Sequence, residues 1–383
     1  MRGLLELGRL HAESGSRLTR NTTLEMLLLP TAEAWRRDIR TAAAFTAVHR
    51  SDGDGVFFLH PVVGSSYGLQ SGKHPTPLVK GGDEASCVER ATCFASMSAS
   101  TSSGGSNQHT NYANFRIFSE TLLAGILDQE YELAIMSYRE SHRGTLLGMT
   151  RFRDGLDDMP ILGYGKGSIN HDRLGPFHRT LAGHSTGYLS RGTYWGTEQR
   201  QQTQAPMEVG PGASPQHYRN DCGTGGEDCS LCMVSSIASA YWIRWMLLSE
   251  NADEDILYLA RGAPRRWYQQ PQAFGIVAGP TRFGRVNYTI TPRHQNTTRT
   301  AVDTTGGLSG TVSLQLRAGA PVPLVAIHLR AADGAQPLSG KVSITGGGAA
   351  GTTGTAVVAW HAGNETAVIR LGRGETAFDF TCT

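Results

Sequence analysis

The sequence predicts a multi-domain protein of helices and strands. Residues 1–275 read as a helical part, part of an α/α toroid, and residues 280–383 as an antiparallel β-sandwich. Two observations predict this. Before residue 280 the apolar residues recur three and four apart, the period of a helix with one buried face. After residue 285 they alternate, the period of a half-buried strand, with Gly and Pro clusters between the runs. Helices followed by strands, without alternation of the two, argue against a doubly wound parallel sheet. At 383 residues the chain can build cores without covalent staples.

The helical elements come first. Residues 32–49 form a run opened by Pro30 and Thr31. Phe115, Phe118, Leu122 and Ile126 share one helical face, and residues 130–143 form a further helix. Residues 161–170 and 175–186 also carry the helical period, although glycines interrupt both. Ile237, Tyr241, Trp245 and Leu248 share a face of the last helix. The strands follow. Val312, Leu314 and Leu316 alternate with Ser313 and Gln315, and Val325, Ile327 and Leu329 with Ala326 and His328. Val342 and Ile344, Val368 and Arg370, and Phe378-Asp379-Phe380 continue the pattern. Residues 96–106 and 199–226 are Ser/Gly/Thr-rich and Gln/Gly/Pro-rich, and read as loops.

Composition removes several classes of function. Lys plus Arg is 35 and Asp plus Glu 33, so the net charge of +2 gives no basic face for nucleic acid. No apolar run approaches ~18 residues, so no membrane-spanning helix is expected. The opening residues carry Glu6 where a signal peptide needs an apolar stretch. Four sequons, at Asn21, Asn287, Asn296 and Asn364, point the other way, toward a secreted or extracytoplasmic setting, although such triplets arise by chance in Thr-rich chains. Of the six cysteines, Cys229 and Cys232 form a C-x-x-C, but its only other half is Cys222 and no His stands close by, so no structural zinc is expected. Gly163-Tyr164-Gly165-Lys166-Gly167 is superficially like a phosphate loop, yet lacks the preceding strand and the G-K-[ST] ending.

Two polar clusters can carry chemistry. In the first, Arg151, Arg153, Asp154, Asp157 and Asp158 fall within eight residues, and Gly155 and Pro160 make a loop the expected conformation. Adjacent carboxylates raise one another's pKa while arginines lower it, so one segment can hold both an acid and a base. The plainer reading is an Arg–Asp network closing a loop. The second cluster holds His184, Tyr188, Arg191, Trp195 and Glu198. Aromatic faces stack on sugar C–H surfaces while the polar groups take the hydroxyls; the plainer reading is an aromatic loop packed on a helix. The two clusters are expected to meet at one cleft.

The run Asp255-Ile256-Leu257-Tyr258-Leu259-Ala260-Arg261-Gly262-Ala263-Pro264-Arg265-Arg266-Trp267, followed by Pro280-Thr281-Arg282-Phe283-Gly284, resembles the junction that ends the catalytic toroid of six-hairpin glycosidases. Residues 111–200 are similar to the α-L-rhamnosidase-like members of that clan, and the resemblance covers roughly residues 110–300. It implies an (α/α)6 toroid leading into a β-sandwich. Fewer helices precede residue 250 than a whole toroid needs, so the toroid is expected to be N-terminally incomplete.

The resemblance and the clusters together give the expected function: inverting hydrolysis of a glycosidic bond in a plant- or microbe-type glycan. Such chemistry needs one carboxylic acid and one carboxylate base. Glu198 is the candidate base, and Asp157 or Asp158 the acid or a hydroxyl anchor. Asp154, held ionised by Arg151 or Arg153, is a poor acid and falls with Arg151, His184, Tyr188, Arg191 and Trp195 among the substrate-binding candidates. No metal or organic cofactor is called for; the expected partner is an oligo- or polysaccharide, with no nucleic acid and no membrane. Two alternatives remain: a polysaccharide lyase, in which Tyr188 or His184 abstracts a proton and Arg191 neutralises a uronate, and a non-catalytic glycan-binding remnant.

Overall fold

The computed structural model describes residues 22–49, 55–59, 118–141, 145–146, 148–152, 155–157, 161–187, 199–201, 233–251, 254–292, 307–318, 320–331, 338, 342–345, 355–372 and 375–382. The chain divides into two compact units, one containing Pro30–Trp242 and the other Ile243–Thr383 together with the start of helix Thr22–Thr46, as far as Leu29. Among the described residues no helix is long and apolar enough to cross a membrane.

The first unit mixes helices with small sheets. Its elements are α1 (Thr22–Thr46), β1 (Ala47–His49), β2 (Val56–Leu59), α2 (Gln129–Ser141), β3 (Thr145–Leu146), β4 (Met149–Phe152), β5 (Gly155–Asp157), α3 (Ile161–Asn170), α4 (Leu174–Gly187), β6 (Gln199–Gln201) and α5 (Met233–Leu247), which runs on into the second unit. Residues 118–124 are helical. Phe118, Leu122 and Ile126 bury the face that their spacing predicts and pack with Ala134, Ile135, Met136 and Tyr164. Helix α1 begins earlier than expected and continues through Pro30. Half of the face expected for α5 is buried: Trp245 and Leu248 are, but Ile237 and Tyr241 are 40% and 45% exposed, and Ser235, Ala238, Trp242 and Met246 are buried as well.

Helix α3 explains why its glycines do not break it. All its residues but Leu162 and Asn170 are buried. A Cβ on Gly163 would lie 1.8 Å from the Ser119 carbonyl oxygen, and one on Gly165 would lie 2.1 Å from Trp242 Nε1. Gly167 faces Leu122 and Met136 at 3.0 and 3.2 Å. Helix 118–124 and α5 therefore approach the α3 backbone where any side chain would hold them off. The N–H of Gly163, near the start of α3 where intrahelical acceptors are lacking, donates to Ser119 Oγ at 3.1 Å. The β3–β4 turn is fixed in a similar way: Gly148 sits at φ +81°, its Cβ position 2.6 Å from the Thr180 nitrogen of α4, and Thr180 Oγ1 donates to its carbonyl at 2.8 Å.

The second unit is a sandwich of two five-stranded sheets. Its strands are β7 (Leu248–Glu250), β8 (Ile256–Leu259), β9 (Phe274–Thr281), β10 (Gly284–Pro292), β11 (Leu308–Leu316), β12 (Leu324–His328), β13 (Val342–Thr345), β14 (Ala356–His361), β15 (Thr366–Arg370) and β16 (Ala377–Cys382). The sheet orders are β13-β16-β11-β10-β9 and β14-β15-β12-β8-β7. Val286, Tyr288, Val312, Phe378 and Phe380 from the first meet Leu257, Leu259, Val325, Ile327 and Ile369 from the second in one core. Two expectations are corrected here. The β unit begins with β7 and β8, well ahead of the change of period near residue 280, because these short strands follow α5 too closely to show a period of their own. The pairing is also not wholly antiparallel: β12 runs parallel to β8, with Leu324 opposite Ile256.

The junction residues serve this sandwich. Arg265, in the 3-10 turn Arg265–Gln269, donates to the Ala331 carbonyl at 2.9 Å and meets Glu365 at 2.5 Å. Glu365 also takes the Ala331 N–H at 2.9 Å. Of the sequon asparagines, Asn287 is exposed on β10 and Asn364 is half-buried; Asn21 and Asn296 lie outside the described residues.

The α3 packing makes a test. Replacing Gly by Ala inside a helix gains about 1 kcal/mol of propensity, while overpacking against an unyielding backbone costs about 1–3 kcal/mol or more. Gly163→Ala is therefore expected to lower stability by about 2 kcal/mol in urea unfolding. Gly175→Ala, where nothing lies within 4 Å of the added carbon, is the control and should be neutral or mildly stabilising.

Candidate active site

The segment expected as a loop is a hairpin. Strands β4 and β5 pair around residues 153–154, and with β3 and β6 they form a four-stranded antiparallel sheet in the order β3-β4-β5-β6. Each strand is too short for alternation to be visible in the sequence. Asp157 stands opposite Thr150 on one side and opposite Gln199 on the other. Gln199 immediately follows Glu198 in the chain. Strand β6, which starts one residue after the second cluster ends, is thus the hydrogen-bonded neighbour of β5, which carries Asp157 of the first.

The backbone places Arg151 on β4, opposite Leu156, and Asp157 on β5. Asp154, Asp158, Tyr188, Arg191, Trp195 and Glu198 lie outside the described residues, as do Cys222, Cys229 and Cys232. Among the described residues no group of three or more His, Cys, Asp or Glu is placed to hold a metal ion.

His184 does not line a sugar pocket. It is 0% exposed. Its Nε2 lies 3.2 Å from Ser235 Oγ and its Nδ1 3.3 Å from Ser239 Oγ. Its ring meets Trp242 edge-on, with centroids 5.1 Å apart. Ser235, Ser239 and Trp242 all belong to α5, so this histidine ties α4 to α5. Burial brings its pKa down from 6.5 to about 4, opposed in part by a hydrogen bond at Ser235. The ring is neutral at physiological pH and is a packing residue.

Behind the hairpin lies a polar seam that sequence reasoning missed. Helices α2 and α3 meet antiparallel through three steps. Glu132 Oε2 pairs with His171 Nε2 at 2.7 Å, just past the end of α3. Ser168 Oγ lies 3.9 Å from Met136 Sδ. The Arg139 guanidinium stacks over the Tyr164 ring, its Cζ 3.6 Å from the centroid. Residues 132, 136 and 139 on one helix thus match 171, 168 and 164 on the other, the spacing of one helix face. Arg139 Nη2 also donates to Thr150 Oγ1 at 2.5 Å, tying the seam to β4. Arg173 meets Glu140 at 2.7 Å beside it. Burial raises the Tyr164 pKa to about 12, with Arg139 pulling the other way, and lowers that of Arg139 to about 10, opposed by Tyr164 and Glu140. Arg139 is therefore charged and Tyr164 neutral at pH 7. The signal available in the sequence was a glutamate and an arginine at core spacing on α2, residues that are rarely buried.

The His184 environment predicts a pH dependence. The unfolded chain takes up this proton near pH 6.5 and the folded chain only near pH 4. Protonation therefore favours unfolding in that window. The histidine's contribution is complete above pH 6.5 and is lost as the pH falls to about 4, a change of ~3 kcal/mol. Urea unfolding across this range should show that slope in the wild type and a flatter one in His184→Asn. Equal slopes would remove His184 as the titrating group.

No protein-family model matches the chain, and no curated protein matches it. Among solved structures, the crystal structure of Streptomyces avermitilis α-L-rhamnosidase complexed with L-rhamnose is similar, with a TM-score of 0.33 and 13% sequence identity. The match covers 95% of this chain and 31% of that one, so the chain spans less than a third of that protein's length. A TM-score of this size does not establish a shared toroid.

Proposed function

We propose that the chain is a glycan-acting protein of the glycoside-hydrolase type, with Glu198 as general base. The supporting observation is the pairing of β5 with β6, which sets Asp157 beside Gln199, the residue after Glu198. Successive side chains of a strand alternate faces. Were this register carried one step further, Glu198 would stand opposite Asp158, while Asp157 would fall on the other face. On that register Asp158 is the acid, and Asp157, on the face of its partner Thr150, is left out of the sugar site. Like charges directly opposed across a strand pair raise one pKa, the division of roles that acid–base cleavage uses. Arg151, Tyr188, Arg191 and Trp195 would orient the sugar. The consecutive antiparallel helices α2 and α3 are compatible with hairpins of a partial toroid, and the sandwich with the C-terminal domain of such enzymes.

Inversion needs carboxyl groups ~6.5–9.5 Å apart to seat a water, and retention ~5–5.5 Å; directly opposed partners on a strand pair have Cβ atoms ~4.5–5.5 Å apart, so inversion requires the two side chains to splay away from each other. The test is turnover of the purified protein on a panel of glycosides, rhamnosides and uronides included. Glu198→Gln should lower kcat by at least about 100-fold while substrate binding changes little, because the amide is isosteric and takes no proton from water. NMR of the first-formed anomer reads the stereochemistry, and a retained configuration would make Glu198 a nucleophile. Sugar binding without turnover by wild type would replace hydrolysis with the glycan-binding reading. A new C=C absorbance would replace it with a lyase.

A further inference from the structure

We propose that the buried Arg139–Tyr164 pair, between α2, α3 and β4, is a binding site for a small monovalent anion, chloride or a carboxylate group. It stands independently of the proposed glycan chemistry.

Arg139 is 3% exposed, and among the described residues no carboxylate lies within ion-pair distance of it. Of the nearby acids, Glu140 acts on Arg139 only at longer range and meets Arg173, Glu132, two turns away, meets His171, and Asp157, opposite Thr150 on β5, has its side chain outside the described residues. A guanidinium taken out of water without a counter-charge costs several kcal/mol, which neutral partners offset only in part. Burial brings its pKa down to about 10, not far enough to discharge it at neutral pH.

The hydrogen bonding points the same way. Nη2 is used by Thr150, and the face of the guanidinium is covered by the Tyr164 ring. Arg139 Nε and the Tyr164 hydroxyl are both buried, and neither has a hydrogen-bond partner among the described residues. Both groups can donate, and they sit on two stacked planes. A single acceptor can serve both. Water would satisfy the hydrogen bonds but leave the charge uncompensated; an anion does both. Because the donors lie inside a packed unit, the anion must be small, a monatomic halide or a group no larger than acetate.

Bromide supplies the test with the full wild-type chain. Crystals grown in sodium bromide and measured at the bromine absorption edge should show an anomalous peak within hydrogen-bonding distance of Arg139 Nε and the Tyr164 hydroxyl. In solution, at ionic strength held constant with sodium gluconate, the midpoint of thermal unfolding should rise saturably with bromide or chloride, by about 4 °C. Tyr164→Phe keeps the stacked ring and removes one donor, and should shrink that rise. A larger rise in sodium acetate than in chloride identifies the occupant as a carboxylate. The proposal is overturned by a water without anomalous signal at the pair, by a carboxylate of the chain itself on Arg139, or by midpoints that are equal in all four salts.

Discussion

Helix α3 lies so close to its neighbours that backbone and ring occupy positions that side chains would ordinarily fill. Gly163 faces the Ser119 backbone, Gly165 the Trp242 indole, and Gly167 the Leu122 and Met136 side chains. A contact made through backbone cannot relax by changing a rotamer, so it fixes the relative position of helix 118–124, α3 and α5 narrowly. The elements that carry polar chemistry attach to this fixed helix. Strand β5 precedes α3 in the chain, and His171 follows it to meet Glu132. Helix α4 comes next and holds the β3–β4 turn through Thr180. The placement of the small sheet thus depends on three missing Cβ atoms.

Around this helix the first unit buries more polarity than a purely apolar core would. The choices differ by residue. His184 is kept neutral between two serines. Tyr164 is held protonated by burial, and Arg139 keeps its charge and spends one donor on Thr150. The second unit treats a buried acid differently: Glu365 meets Arg265 and takes the Ala331 N–H, within the strand ends it joins. With Arg265 exposed and only Glu365 buried, such a pair contributes little net stability, yet removing the arginine leaves a buried carboxylate short of a partner. It therefore acts as a registration point for the chain segments it ties together.

Much of the sandwich was legible in the sequence, because half-buried strands must alternate. Val312 and Leu314 face inward as their spacing requires. Pairing partners were not legible, and the parallel β8–β12 contact depends on where a distant strand is delivered. In the first unit the face of Phe118, Leu122 and Ile126 was readable for the same reason. The face of α5 was legible only in part: Trp245 is buried as its spacing requires, while Ile237 and Tyr241 are exposed and Trp242 packs on Gly165 of α3 and His184 of α4 in their place. Arg151–Asp158 looks like a loop because three- and four-residue strands carry no period. The functional candidates were found by chemistry alone: His184 proved to be packing, and Arg139, Tyr164, Glu132 and His171 were hidden because charge in a helix ordinarily means solvent.

Strands β5 and β6 are neighbours in a register that sets Asp157 opposite Gln199, the residue after Glu198. Cross-linking Leu156→Cys with Arg200→Cys tests it most directly, since these positions face each other. Antiparallel partners have Cα atoms ~4.5–5.5 Å apart, within reach of a disulfide. Under mild oxidation the pair should close fully, as read by mass spectrometry, with the folded protein otherwise unchanged. The pair Arg151→Cys with Arg200→Cys, separated by the intervening strand, should stay reduced. An open 156–200 pair, or closure of 151–200 in its place, would contradict the register and with it the shared site.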